Sequence, residues 1–151
     1  MIVEVIKNLY LGTISENKRF KGAKLCVLEH DEWDRTLIDP YTIVLPIIKT
    51  KNLKNSPKFY RDIADYRNLE IGFYIIDKYL SNDLPILVHC EKGRERSPLM
   101  IMYYLYKKEG LSLLEAYKKV KILKPNIANR LYWIDLNKLS DENEEIKILN
   151  K

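Results

Sequence analysis

The stretch Val88-His89-Cys90-Glu91-Lys92-Gly93-Arg94-Glu95-Arg96-Ser97-Pro98 decides the fold of this chain. Ahead of it lies Pro85-Ile86-Leu87-Val88, a short run rich in β-branched residues that reads as a buried strand. Behind it comes a helical pattern from Pro98 to Lys108. Proline is tolerated in a first helical turn, whose N–H groups have no helical partner. Gly110 stands where a left-handed residue ends a helix. The chain therefore passes from strand to loop to helix, with a cysteine at the strand's end.

The same alternation extends outward in both directions. Met1–Ile6, Lys24–Leu28 and Thr42–Leu45 are further strand candidates. Asn68 is a candidate cap for a helix carrying Leu69, Ile71, Ile75, Ile76, Tyr79 and Leu80. Ser112-Leu113-Leu114-Glu115 fits a capping box opening a helix over Leu113–Leu123, which Lys124-Pro125-Asn126 breaks. A last helix is expected from Asn129 or Arg130 to Leu139, and the charged tail Asp141–Lys151 should fray. This order predicts an α/β domain, residues 1–151, with a central, mostly parallel sheet flanked by helices. Ligands of such sheets bind beyond the carboxyl ends of the strands. That rule points at the loop after Val88.

The loop's residue types define its chemistry. Between a strand end and a helix N-terminus, successive backbone N–H groups of Glu91, Lys92, Gly93, Arg94 and Glu95 can face inward as an anion nest. Gly93 permits a backbone conformation that a side chain would block. Arg96, six residues after Cys90, can fold back and clamp an oxyanion in a bidentate fork. In that positive field Cys90 is expected to ionise below the ~8.5 of a free thiol. A thiolate facing a bound phosphate is a nucleophile aimed at phosphorus.

His-Cys, five residues, Arg and then Ser resembles the signature of the cysteine-dependent protein tyrosine phosphatases. Arg96-Ser97-Pro98-Leu99, the opening Leu9-Tyr10-Leu11-Gly12, and Lys124-Pro125 with Asn129 are similar to the small dual-specificity branch. The resemblance runs from about Val3 to Leu139. It implies a metal-free and cofactor-free hydrolysis of phosphate monoesters through a phosphocysteine. Cys90 would attack while Arg96 stabilises the transition state, and Ser97 would donate to the Cys90 sulfur as it departs. A plain helix cap is the other role open to Ser97, and the two can coexist. His89 would orient the loop. Asn129 would position substrate or water, or cap a helix.

The family's general acid is an aspartate on a loop before the helix that precedes the signature strand. Asp62, 28 residues before Cys90, is the first choice and Asp65 the second. With neither, Asp31, Glu32 or Asp34 would supply an acid or orient Arg96.

The chain has 151 residues, 46% apolar and 31% charged, enough for one core and too apolar for disorder. No run nears 18 apolar residues, so no membrane span is expected, and the start does not read as a secretory signal. Cys26 and Cys90, 64 residues apart, form no metal or disulfide framework, so a reducing cytosol is the default; a cytoplasmic monomer is expected. Cys26 is expected in the core. The net charge of +5 calls for an acidic partner. Phosphorylated proteins fit that description better than a nucleic acid duplex does, and phosphate-like oxyanions should inhibit. Length leaves no room for the deep pocket loops of larger tyrosine-specific relatives, so a shallow cleft is expected that admits phosphotyrosine, with phosphoserine and phosphothreonine open. Lys92 and Arg94, and the lysine-rich loop Lys49–Lys58, keep alternatives open. These are the same chemistry on phospholipid, inositol phosphate or RNA 5′-phosphate, or an inactive phosphopeptide-binding module.

Overall fold

In the computed structural model, which describes residues 1–30, 33–50 and 62–134, the chain builds a mixed five-stranded sheet. Strands β1 (Val3–Ile6) and β2 (Leu9–Thr13) form an antiparallel hairpin whose turn holds Asn8 at φ 71°. Asparagine tolerates that left-handed conformation better than most residues. Next come a 3₁₀ turn (Ile14–Arg19), β3 (Ala23–Cys26), a second 3₁₀ turn (Arg35–Leu37) and β4 (Ile43–Val44). A separate two-stranded antiparallel sheet pairs β5 (Ile48–Thr50) with β6 (Asp62–Ala64). Then follow α1 (Tyr66–Ser81), β7 (Ile86–Cys90), α2 (Arg96–Glu109), α3 (Leu113–Leu123) and a closing 3₁₀ turn (Leu131–Trp133).

The order across the large sheet is β1-β2-β7-β3-β4, and every pairing except β1 with β2 is parallel. β7 is central and buried along its whole length, as expected for a parallel strand covered on both faces. Its partners hold it in register to the last residue, with Thr13 opposite Cys90 on one side and Cys26 opposite His89 on the other.

α2 crosses β7 and β2, with α1 and α3 packed against it. Its residues Ser97 to Leu105 are all buried, so this helix is enclosed on every side. Leu99, Met100, Ile101 and Met102 are fully buried, each worth about 1.5–3 kcal/mol of transfer from water. The polar tips of its tyrosines are matched: Tyr103 Oη donates to Glu70 Oε2 at 2.5 Å and Tyr104 Oη to Asp77 Oδ1 at 3.0 Å, both on α1.

The sheet flanked by helices agrees with the expectation from sequence, and so do Gly110 at φ 71° after α2 and the Ser112–Glu115 capping box. Three elements differ. Leu9–Thr13 is a strand in its own right. Asn68 does not cap α1: Asp65 does, its carboxylate accepting the Asn68 N–H at 3.1 Å, while Asn68 Nδ2 turns back to the Pro46 carbonyl at 2.6 Å. Asp65 stands three residues before Asn68, the spacing at which an N-cap carboxylate reaches the third helical N–H. After Asn129 there is a short 3₁₀ turn rather than an α-helix, because Asn129 Oδ1 accepts the Leu131 N–H and closes a tight turn. The rest of that expected helix and the tail lie outside the described residues.

Candidate active site

Cys90 is the last residue of β7, only 5% exposed, at the carboxyl end of the parallel strands. The loop that follows is tied down at its start, where the Ile14 N–H donates to the Glu91 carbonyl (3.1 Å) and the Val27 N–H to the His89 carbonyl (3.0 Å). Gly93 at φ 67° makes the mid-loop turn in the left-handed region. A methyl group there would also run into the Lys124 ammonium and, at 2.7 Å, the Gly12 carbonyl oxygen. Both backbone conformation and space therefore demand glycine.

The loop then enters α2 at Arg96. Ser97 is the second residue of that helix rather than its cap, and its Oγ lies 3.2 Å from Cys90 Sγ. The hydroxyl is committed to the sulfur, and the capping role has no support. Pro98 sits one residue further, inside the first turn, where its missing N–H is harmless.

His89 is fully buried and its ring is fixed by one neighbour that sequence reasoning missed. Asn17 Oδ1 accepts the backbone N–H of Asp39 at 2.9 Å, which orients the amide unambiguously. Asn17 Nδ2 must then donate to His89 Nε2, at 2.9 Å. With Nε2 accepting, Nδ1 carries the proton and donates to the Cys90 carbonyl at 3.2 Å. Burial pushes the His89 pKa below its ordinary value, so the ring is a neutral orienter of the Cys90 backbone. An asparagine in the first apolar–polar turn after a strand gives no sequence signal of this role.

A cavity of about 470 Å³ opens at the loop, and Leu28, Cys90, Lys92, Arg94, Arg96 and Arg130 are among the residues that line it. Its outer wall is the segment after α3. The Ala128 N–H donates to the Arg94 carbonyl (2.8 Å), Arg94 Nε donates to the Asn126 carbonyl (3.0 Å), and Arg130 pairs with Glu95 (2.9 Å). Asn129 itself is exposed and spends its oxygen on the turn at Leu131.

The chain matches the family model for the dual specificity phosphatase catalytic domain over residues 42–142, which includes the whole of this loop and its wall. The chain belongs to that family. Among relatives of this dual specificity phosphatase domain, human dual specificity protein phosphatase 9 is 30% identical over 135 residues, and human dual specificity protein phosphatase 6 is 31% identical over 133. Both alignments cover 83% of the chain, which spans 32%, about a third, of the length of each relative. Similar solved structures include PTPMT1, at 17% identity and a TM-score of 0.70 with all of both chains covered. Another is the human tyrosine phosphatase-like serine/threonine/tyrosine-interacting protein, at 19% identity and 0.69 with 97% of both covered. These structures share the fold.

The candidate acids of the domain separate clearly. Asp65 is engaged twice, capping α1 and facing Lys49 Nζ at 3.5 Å, with its side chain 13% exposed. Asp34 holds its own turn through the Thr36 N–H (2.9 Å) and hydroxyl (2.7 Å), which keep its carboxyl below the usual carboxylate range. Asp62 begins β6, its backbone in register with Thr50, and β6 packs against the Leu131–Trp133 turn that continues the cavity wall. Asp31 and Glu32, and most of the Lys49–Lys58 loop, lie outside the described residues. Lys49 is within β5.

Cys26 is a fully buried thiol in β3, and neither cysteine is in a disulfide. Among the described residues no cluster of His, Cys, Asp and Glu could hold a metal ion, and no helix is long and apolar enough to cross a membrane.

Proposed function

We propose that the chain hydrolyses phosphate monoesters of proteins, phosphotyrosine first and phosphoserine or phosphothreonine with it, through a phosphocysteine on Cys90. The observation that carries this is the placing of a cysteine at the end of the central strand, with a serine hydroxyl 3.2 Å from its sulfur and an arginine opening the next helix beneath a cavity. A neutral His89 and a strapped, glycine-hinged loop keep that arrangement rigid.

In the first step the Cys90 thiolate attacks phosphorus in line with the leaving oxygen. The backbone N–H groups from Glu91 to Arg96 and the Arg96 guanidinium hold the non-bridging oxygens, where charge is greatest in the transition state. Asp62 donates a proton to the departing oxygen. In the second step water attacks the phosphocysteine, Asp62 takes its proton, and the Ser97 hydroxyl donates to the sulfur as the P–S bond breaks. The commitment of Asp65 to its cap favours Asp62 for the acid, as does the proximity of β6 to the cavity wall.

The same chemistry on a phosphoinositide is the second reading. It is favoured by Lys92 exposed on the loop and by the similarity of fold to PTPMT1, one structure of which is described as a complex with PI(5)P. Two cations at this rim are already engaged within the protein, Arg94 by a carbonyl and Arg130 by Glu95. The Arg130–Glu95 pair cancels one of these charges, which leaves less for a polyanionic headgroup and supports phosphoprotein substrates. The test is a panel of phosphotyrosine, phosphoserine and phosphothreonine peptides, phosphoinositides and 5′-triphosphorylated RNA. Turnover of phosphotyrosine peptides is expected. Turnover confined to lipid or RNA would replace this reading, and binding of phosphopeptide without turnover would favour a binding module.

A further inference from the structure

Lys124 ends α3 and is one of the few buried polar or charged side chains in the described core, 8% exposed, and its Nζ has no hydrogen-bond partner among the described residues. A bare ammonium inside a protein costs several kcal/mol unless something balances it. The nitrogen lies directly under Gly93 of the phosphate loop, close enough that a methyl on Gly93 would collide with it, and the Gly12 carbonyl borders the same spot.

The charged and titratable groups that face it come from two elements. Cys90 does so from the end of β7, and Glu16 from the turn after β2. Glu16 is already occupied by the Thr13 N–H (2.9 Å) and hydroxyl (3.0 Å). Over the loop, Lys92, Arg94 and Arg96 add positive charge; of its two carboxylates, Glu95 is paired with Arg130 at 2.9 Å and Glu91 is exposed to solvent. The anion that Lys124 has to answer is the thiolate and whatever phosphate sits above it.

We propose that Lys124 is a positioning residue for this site, an internal counter-charge beneath Gly93 that favours the Cys90 thiolate and draws a phosphate oxyanion onto the loop. The inference rests on the reading of Cys90 as the nucleophile. Burial holds the Lys124 pKa below its ordinary value, and Cys90 and Glu16 offset that only in part, so the ammonium is short of counter-charge. A lysine here is a poor choice for stability alone. An apolar side chain of the same length would fill the slot without stranding a charge.

The experiment compares wild type with Lys124→Met and Lys124→Gln by three measurements. These are the thermal midpoint, the binding of inorganic phosphate, and the rate of Cys90 alkylation by iodoacetamide across pH, followed by mass spectrometry of the Cys90 peptide. Both variants should keep or raise the midpoint, weaken phosphate about tenfold, slow alkylation at pH 6 about tenfold and move its profile to higher pH. An unchanged alkylation profile with unchanged phosphate affinity overturns the proposal, whatever the midpoint does. Failure of both variants to fold also overturns it, because the ammonium would then be serving the fold. None of these readouts needs turnover. A wild type that hydrolyses no ester would sink the proposed activity and leave the assignment of Lys124 to be judged separately.

Discussion

Asn17 and His89, 72 residues apart in sequence, meet in the core with Nδ2 of one donating to Nε2 of the other at 2.9 Å. The amide also satisfies the Asp39 N–H and reaches the Thr42 hydroxyl at 3.0 Å, so it links β7 to the segment before β4. Asn17→Ala leaves a buried ring nitrogen and a backbone donor unpaired. A loss of about 1–3 kcal/mol for each such group is expected in urea unfolding. Turnover of the variant should fall with it, because the ring positions the Cys90 carbonyl.

The same pair sets a pH dependence. The folded-state pKa of His89 lies below its ordinary 6.5 because of burial. Between those two values the unfolded chain binds a proton that the folded one does not, so stability rises with pH in that window. It is fully present above about pH 6.5 and is lost as pH falls through the folded value. In Asn17→Asp a carboxylate faces the ring and favours the imidazolium. The slope of thermal midpoint against pH between about 5 and 6.5 should flatten or reverse in that variant. An identical slope in both proteins would show that His89 is not the group responsible.

Gly93→Ala tests the hinge of the phosphate loop. Its backbone sits at φ 67° and its methyl would meet the Lys124 ammonium and the Gly12 carbonyl. Strain of this kind costs about 1–3 kcal/mol. The expected result is a lower thermal midpoint together with loss of phosphate binding, since the loop can relieve the clash only by opening. Retained phosphate affinity would mean that the nest does not depend on this turn.

Which parts of this were legible beforehand follows from how local each signal is. The phosphate loop, the helix stop at Gly110 and the Ser112–Glu115 box are written in residues that contact each other within a few positions, so pattern and structure agree. β2 was hidden because its turn, Lys7-Asn8, lacks the usual glycine, and Leu9-Tyr10-Leu11-Gly12 is too short to show alternation. Asn17, Lys124 and Arg130 matter only through partners far away in the chain. Nothing in Leu123-Lys124-Pro125 says that a loop 31 residues earlier will close over the lysine. The cap of α1 fell between two good capping residues, Asp65 and Asn68, and local pattern favoured the wrong one.

Asp62→Asn and Asp65→Asn should separate chemistry from architecture. The first is expected to slow hydrolysis of an alkyl phosphate by about 10²–10⁴-fold and an activated aryl phosphate much less, since only the poor leaving group needs a proton. The second removes the charge of the α1 cap and its ion pair with Lys49, and should cost about 1 kcal/mol of stability or less. Its leaving-group dependence should match wild type. Exchange of these two outcomes would move the acid to Asp65.

The central claim is that Cys90 carries the phosphoryl group, and the most direct measurement is acid-quenched mass spectrometry of the Cys90 peptide during turnover of a phosphotyrosine peptide. One added phosphoryl group on that peptide is expected in wild type, more of it in Ser97→Ala, where departure of the sulfur is slowed, and none in Cys90→Ser. Steady turnover with no phosphoryl group on Cys90, or appreciable activity in Cys90→Ser, would contradict the account.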